Sequence, residues 1–419
     1  MIQGARSRPF WLEVVNSGGG LLRRARVLSL TIDAAALKAA ARRAVRLEDF
    51  GPDDFEQPLD LLARSCESEA RLNFIGRCLM RSYLTRLLEH RLLLERDRRR
   101  HPEIAEQQIR APIFISGLPR TGSTLLFELM GRNPALRAPR TWEVMFPSPP
   151  PRRENFDRDP RLPATRRQLN WLDRMAPEFQ RIHAVGPARP QECIAITAHA
   201  FRSIEFYTMC NVATYQAWLN TADLGPAYEC HYRLLQHFQA FGPRGRWVLK
   251  APAHVFNLEA LFRRYPDAQV VHLHRDPVEV LGSLLSLGAH LRGVFSDQVD
   301  RERLGETWCG LWAMGLKRMW DFRRQHPELR DRFHDVLYRD LVRDPLAAVE
   351  ALHRRLDAPF SAAARERVAA HLAANPKGKH GVHRYRLEDY GLTPDLVRRQ
   401  FAGLGFPPGT ASETASAGA

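Results

Sequence analysis

The segment Gly117-Leu-Pro-Arg-Thr-Gly-Ser-Thr124 carries the residue types of an anion cradle. Gly117 and Gly122 stand five apart, after the apolar run Ala111–Ser116 and before the apolar run Leu125–Gly131. A strand, a glycine turn and a helix in that order aim successive backbone N–H groups at one point. The helix start adds partial positive charge, Ser123 and Thr124 add hydroxyl donors, and Arg120 adds a cation. A nucleotide triphosphatase carries Lys directly after the second glycine, where it reaches the terminal phosphates. Ser123 stands there instead, and the strand candidate Val270–His274 leads into Arg275-Asp276 without a magnesium-holding aspartate at its end. The loop therefore reads as an anion site that argues against ATP hydrolysis. The competing reading is a glycine turn that merely joins strand to helix, and Arg120, Ser123 and Thr124 weigh against it.

A second cluster lies at His274-Arg275-Asp276-Pro277-Val278-Glu279. Asp276 suits a helix N-cap, Pro277 the first helical position, and Glu279 the third, closing a capping box. Arg275 then falls at the carboxyl end of a strand beside a helix start, where α/β sheets bind ligands. Ser283 follows eight residues later, two turns into the helix, so the pair can clamp a second phosphate. Lys250, ending the strand candidate Arg246–Lys250, supplies a further cation.

Two further titratable residues stand out beside these segments. Glu143 sits in Thr-Trp-Glu among apolar residues, where desolvation raises a carboxyl pKa. His254 lies four residues after Lys250, and an ordinary histidine pKa of about 6.5 suits a base. Their structural alternatives are an ion-paired glutamate and a capping or core histidine.

The elements that position these groups follow from periodicity. Up to about residue 105 the chain reads as helical, with runs Ala34–Arg46 and Pro58–Arg100 separated by the polar break Asp49–Gln57. Residues 133–165 hold eight prolines and many arginines and read as irregular. Helical patterns return at Arg167–Met175, Pro190–Tyr207 and Ala227–Ala240. Arg246–Lys250 and Ala268–His274 read as strands around the helical stripe Val255, Leu258, Leu261, Phe262 and Tyr265, a βαβ order that predicts a parallel sheet. His334–Tyr338 is a further strand candidate. The tail Pro407–Ala419 is small and polar and is expected to lack fixed structure.

The 419 residues are 44% hydrophobic, enough for a sizeable core. A net charge of +15 favours polyanionic partners without choosing among nucleic acid, anionic membrane and phosphorylated small molecules. The runs Arg98–Arg100 and Arg152-Arg153 read as solvated faces, so no nucleic-acid partner is expected. Six cysteines without a C-x-x-C pair suggest neither disulfides nor a zinc site, and no metal site is expected. No signal-type apolar core opens the sequence, and eighteen uncharged apolar residues nowhere run together. No membrane span is expected, and a reducing cytoplasm is the default compartment.

The chain resembles the superfamily of sulfotransferases that use 3′-phosphoadenosine-5′-phosphosulfate (PAPS), above all its bacterial branch related to protein-tyrosine sulfotransferases. The segments that carry the resemblance are Pro112–Thr124, Arg140-Thr-Trp-Glu143, Trp247-Val-Leu-Lys-Ala-Pro-Ala-His254, and Val271-His-Leu-His-Arg-Asp-Pro277 with Ser283. Tyr338-Arg-Asp-Leu341, Lys379-His-Gly-Val-His-Arg-Tyr385 and Leu387-Glu-Asp-Tyr-Gly-Leu392 extend it, and Glu69-Ala-Arg-Leu-Asn73 and His101-Pro-Glu-Ile104 carry it into the helical region.

The resemblance implies an α/β fold, a P-loop NTPase-like parallel sheet flanked by helices. On that reading residues 1–105 are a helical N-terminal region packed on an α/β domain at 106–400, and 401–419 a disordered tail. It implies that Gly117, Pro119, Arg120, Thr121, Gly122, Ser123 and Thr124 hold the 5′-phosphosulfate of PAPS. Arg275 and Ser283 would hold the 3′-phosphate, Tyr338 would lie near the nucleotide, and Lys377 and Lys379 are the nearest match to a basic loop that completes the pocket. The implied reaction moves a sulfuryl group to a hydroxyl of a small molecule or peptide and releases adenosine 3′,5′-bisphosphate. Arg120 and Lys250 would neutralise developing charge, with Glu143 or His254 as base. Most remaining histidines read as structural. His183 and the run Arg189-Pro190-Gln191-Glu192-Cys193 recur in look-alikes, which leaves a place in the substrate pocket open for them. A P-loop kinase and a non-catalytic polyanion binder are the alternatives.

Overall fold

A computed structural model describes residues 9–24, 30–175, 185–375, 385–407 and 410. Four helices come first: α1 (Phe10–Arg24), α2 (Ala34–Val45), α3 (Glu56–Ser68) and α4 (Phe74–Arg100). The run expected over Pro58–Arg100 is thus two helices. Its break falls at the buried Asn73, which caps α4, its side chain accepting from Gly76 N at 2.7 Å, while Leu72 makes an antiparallel bridge to Ser296. Helix α1 lies within the stretch that reads as helical but ahead of its two delimited runs, because three consecutive glycines interrupt its pattern.

Strand β1 (Ile113–Gly117) is followed by α5 (Ser123–Met130), and then by the two-residue strand β2 (Leu136–Arg137) and α6 (Thr141–Met145). The last two lie inside the stretch read as irregular. Their apolar and capping residues are too few for a periodic signal. Helix α7 (Arg161–Met175) comes next. The run expected as helix over Pro190–Tyr207 is α8 (Cys193–Thr197) and α9 (Glu205–Met209), with a 3-10 turn between them that ends at Phe201 in the left-handed region, φ 52°. Helices α10 (Ala213–Leu219) and α11 (Gly225–Ala240) lead to β3 (Arg246–Lys250), α12 (Leu258–Arg264) and β4 (Gln269–His274). Helices α13 (Pro277–Phe295) and α14 (Arg301–Gln325), strand β5 (Phe333–Leu337), and α15 (Tyr338–Arg343), α16 (Pro345–Arg355), α17 (Ala362–Ala374) and α18 (Pro394–Gln400) complete it.

The five strands form one parallel sheet in the order β2-β3-β1-β4-β5. Every residue of the central strand β1 is buried, as a parallel strand covered by helices on both faces requires. Alternation then divides the core. Ile113 and Ile115 join Val248, Val271 and Leu273 against α5 and α16, whereas Phe114 joins Leu249 and Val270 in the cluster that takes in Leu37, Leu59, Met80 and Leu88 of the N-terminal helices. The N-terminal helices therefore share a core with one face of the sheet. Helix α13 is apolar and long enough to cross a membrane by composition, but two thirds of that stretch is buried inside the protein.

The register brings Lys250 opposite Ile115 and Leu273 opposite Gly117. The ends of β3 and β4 thus flank the glycine loop on either side. Gly117 adopts φ 131°, and a Cβ there would meet Leu273 O at 2.4 Å. Gly117→Ala is expected to lower the unfolding free energy by about 2 to 3 kcal/mol, read by urea denaturation, because it combines backbone strain with overpacking against a central strand.

Candidate functional site

The loop between β1 and α5 is held by its own side chains before any ligand arrives. Thr121 is fully buried, and its hydroxyl donates to Leu118 O at 2.7 Å. Arg120 takes the left-handed conformation, φ 65°, and Gly122 follows at φ 83° as the N-cap of α5. A side chain at Gly122 would press on the Tyr338 ring and on Leu341 at 3.1 Å, so α15 closes one side of the loop.

From that conformation Arg120 Nε donates to Ser283 Oγ at 3.0 Å, while Arg275 Nη1 donates to the Arg120 carbonyl at 2.9 Å. The Arg275 guanidinium lies 4.0 Å over the Tyr338 ring, and its Nε donates to Glu279 Oε2 at 3.0 Å. That last bond replaces the capping box expected of Glu279; Asp276 alone caps α13, accepting from Val278 N at 2.8 Å. Burial depresses the Arg120 pKa, and the neighbouring Arg275 charge pushes the same way. Two guanidiniums and a hydroxyl, together with the backbone of a helix start, thus converge at the C-terminal edge of the sheet, a place prepared for anions.

On the other side of the loop Lys250 is 2% exposed. Its Nζ donates to Thr124 Oγ1 at 3.3 Å and pairs with Glu192, the residue just before α8. The Glu192 charge is felt by Arg120 and by Glu205 of α9. Enclosure by protein raises the Glu205 carboxyl to about 7; the Tyr83 hydroxyl donating at 3.1 Å opposes that rise, and Glu192 adds to it.

The two candidates for base sit elsewhere in their networks. Glu143 is 0% exposed, with Oε1 accepting from Arg137 Nη2 at 2.6 Å and Oε2 from Arg140 N at 2.9 Å, where it closes the cap of α6. Burial pushes its carboxyl up, as its apolar surroundings in the sequence suggested, and Arg137 pulls it partly back. His254 is enclosed as well. Its Nδ1 meets the Tyr228 hydroxyl at 2.8 Å, the Phe114 ring stands edge-on at 5.0 Å, and burial depresses it to about 3, so it is neutral at physiological pH. His254 Nε2 is buried without a hydrogen-bond partner among the described residues. The histidine lines a cleft with Ile194, Leu219, Tyr228 and Phe256. Lys377, Lys379 and His183 lie outside the described residues.

The structure therefore brings together Gly117, Arg120, Thr121, Gly122, Arg275, Ser283 and Tyr338, with Ser123, Thr124 and Lys250 on the adjoining side. Sequence reasoning quoted Glu192 but gave it no chemical role. Its pairing with Lys250 bridges 58 positions, and no local pattern carries such a contact.

The chain belongs to the sulfotransferase family, whose model matches residues 112–362. It is similar to the omega-hydroxy-beta-dihydromenaquinone-9 sulfotransferases Stf3 of Mycobacterium bovis and Mycobacterium tuberculosis, 27% identical over 259 residues. That match spans 58% of this chain and 62% of the length of those relatives. Among solved structures, the sulfotransferase STF1 of Mycobacterium tuberculosis superposes with a TM-score of 0.79 at 32% identity, covering 88% of this chain and 98% of that one. The sulfotransferase STF9 of Mycobacterium avium gives 0.78 at 26%, covering 88% and 95%. The fold shared with them is the P-loop-like parallel sheet flanked by helices.

The buried pair Arg137–Glu143 has a direct consequence for stability. Glu143→Ala leaves a guanidinium buried and uncompensated and is expected to cost about 3 to 5 kcal/mol in urea unfolding. The double variant Arg137→Met/Glu143→Leu is expected to recover much of that loss.

Proposed function

We propose that the chain transfers a sulfuryl group from PAPS to a hydroxyl acceptor and releases adenosine 3′,5′-bisphosphate. The observation that carries this reading is the contact of Arg120 with both Ser283 and Arg275. It joins the glycine loop to a second cationic site at the next strand end, which suits a nucleotide with phosphates at two separate positions. A single polyphosphate chain needs only the loop. Gly117 and Pro119 to Thr124 take the 5′-phosphosulfate, and Arg275 and Ser283 take the 3′-phosphate beside Tyr338.

In the transfer, the acceptor oxygen forms its bond to sulfur as the bond from sulfur to the 5′-phosphate oxygen breaks. Arg120 and Lys250 neutralise the charge that gathers on the leaving phosphate, a role fixed cations perform well in a water-poor site. The acceptor proton goes to Glu192. This carboxylate pairs with the lysine that reaches Thr124, at the strand end beside the glycine loop. Glu143, bonded through both oxygens, supports α6, and neutral His254 lines the acceptor side. The hydroxylated menaquinone named for the relatives supports an apolar alcohol as acceptor. Six free thiols support a reducing compartment such as the cytoplasm.

Steady-state kinetics with PAPS and a panel of apolar alcohols and phenols test the roles. Glu192→Gln is expected to lower kcat by roughly 100-fold or more, the scale of general-base catalysis, with bisphosphate affinity unchanged. Full activity in Glu192→Gln together with a dead, folded Glu143→Gln would return the proton to Glu143. Arg275→Ala is expected to weaken adenosine 3′,5′-bisphosphate by about 2 kcal/mol in calorimetry, and unchanged affinity refutes the 3′-phosphate assignment.

A further inference from the structure

Helix α1 contributes nothing to the transfer site, yet it holds most of the exposed apolar bulk. Of the seven large apolar side chains exposed among the described residues, Phe10, Trp11, Val14, Val15 and Leu21 are on this one helix. Phe10 is 74% exposed, Leu21 65% and Val14 54%. The inner stripe is narrow. Leu12 is buried, Asn16 accepts from Ile75 N at 2.9 Å, and Gly19 lies so close to Phe74 that a Cβ would stand 2.2 Å from its ring. At about 100° per residue, the exposed apolar residues sweep an arc of about 140° next to that stripe. Glu13 and Ser17 lie on the remaining face.

Such a helix is unsatisfied as it stands. Gly18, Gly19 and Gly20 are poor helix formers, so packing must hold the helix, and only one edge of its apolar face is packed. The charge that flanks it in the sequence selects what covers the rest. Residues 1–28 carry Arg6, Arg8, Arg23, Arg24 and Arg26 against the single acid Glu13, within a chain of net charge +15. A protein interface core is depleted in charge and needs a matching apolar partner. An aromatic-bearing apolar face flanked in the sequence by arginines matches an anionic bilayer surface, where aromatic rings enter the headgroup boundary and basic segments are attracted to anionic lipid.

We propose that α1 docks the protein on an anionic lipid surface. The proposal is independent of the transfer chemistry. It is tested with the full chain by co-sedimentation with vesicles of phosphatidylglycerol and phosphatidylcholine, against vesicles of phosphatidylcholine alone, at low and high salt. Binding to the anionic vesicles is expected, weakened severalfold at high salt, and reduced at least tenfold in Phe10→Ser/Trp11→Ser/Val14→Ser at an unchanged melting temperature. Should that variant unfold, Arg23→Glu/Arg24→Glu serves in its place, with a severalfold loss expected. Absence of binding to anionic vesicles, or binding untouched by either variant, overturns the proposal. So does a wild-type dimer that ignores vesicles and becomes monomeric in the serine variant, which makes a second copy the occupant.

Discussion

Two guanidiniums held side by side organise this site. Arg120 is turned into a left-handed conformation, its carbonyl taken by Arg275 and its Nε by Ser283. Like charges in a partly desolvated place repel, and here the repulsion adds to burial in depressing the Arg120 pKa. Such an arrangement concentrates positive charge at the C-terminal edge of the sheet, and an anion placed there would relieve the repulsion.

Everything around the pair serves to hold it. Gly117 lets β1 pass close to β4, the buried Thr121 ties the loop back on itself, and Tyr338 backs Arg275 while touching Gly122. The parallel register then sets Lys250 on the far side of the same loop, where Glu192 balances it. Cations thus flank one helix start on both sides.

Much of this was legible in the sequence because it is local. The glycine loop, the strand before it and the helix after it occupy adjacent positions, and Asp276-Pro277 announces the start of α13 through capping chemistry alone. Strand Arg246–Lys250 was found at its true limits because every residue after the first is buried. What escaped depends on distance. Glu143 looked like a desolvated base, and desolvated it is, but only the fold reveals Arg137 beside it. His254 offered a convenient ordinary pKa, which enclosure by Phe114 and Tyr228 removes. Glu192 meets Lys250 only after the segment ahead of α8 folds back over the sheet edge. The short α6 and β2 escaped for a different reason, since two to five residues carry no period.

The central claim is a pocket for a nucleotide bearing phosphates at two separated positions. Thermal melting of the intact protein with adenosine 3′,5′-bisphosphate, and separately with ATP and magnesium, tests it most directly. The account predicts a melting temperature raised by several degrees with the bisphosphate and unmoved by ATP, since a ligand stabilises only the state that binds it. A rise with ATP and magnesium alone would contradict it.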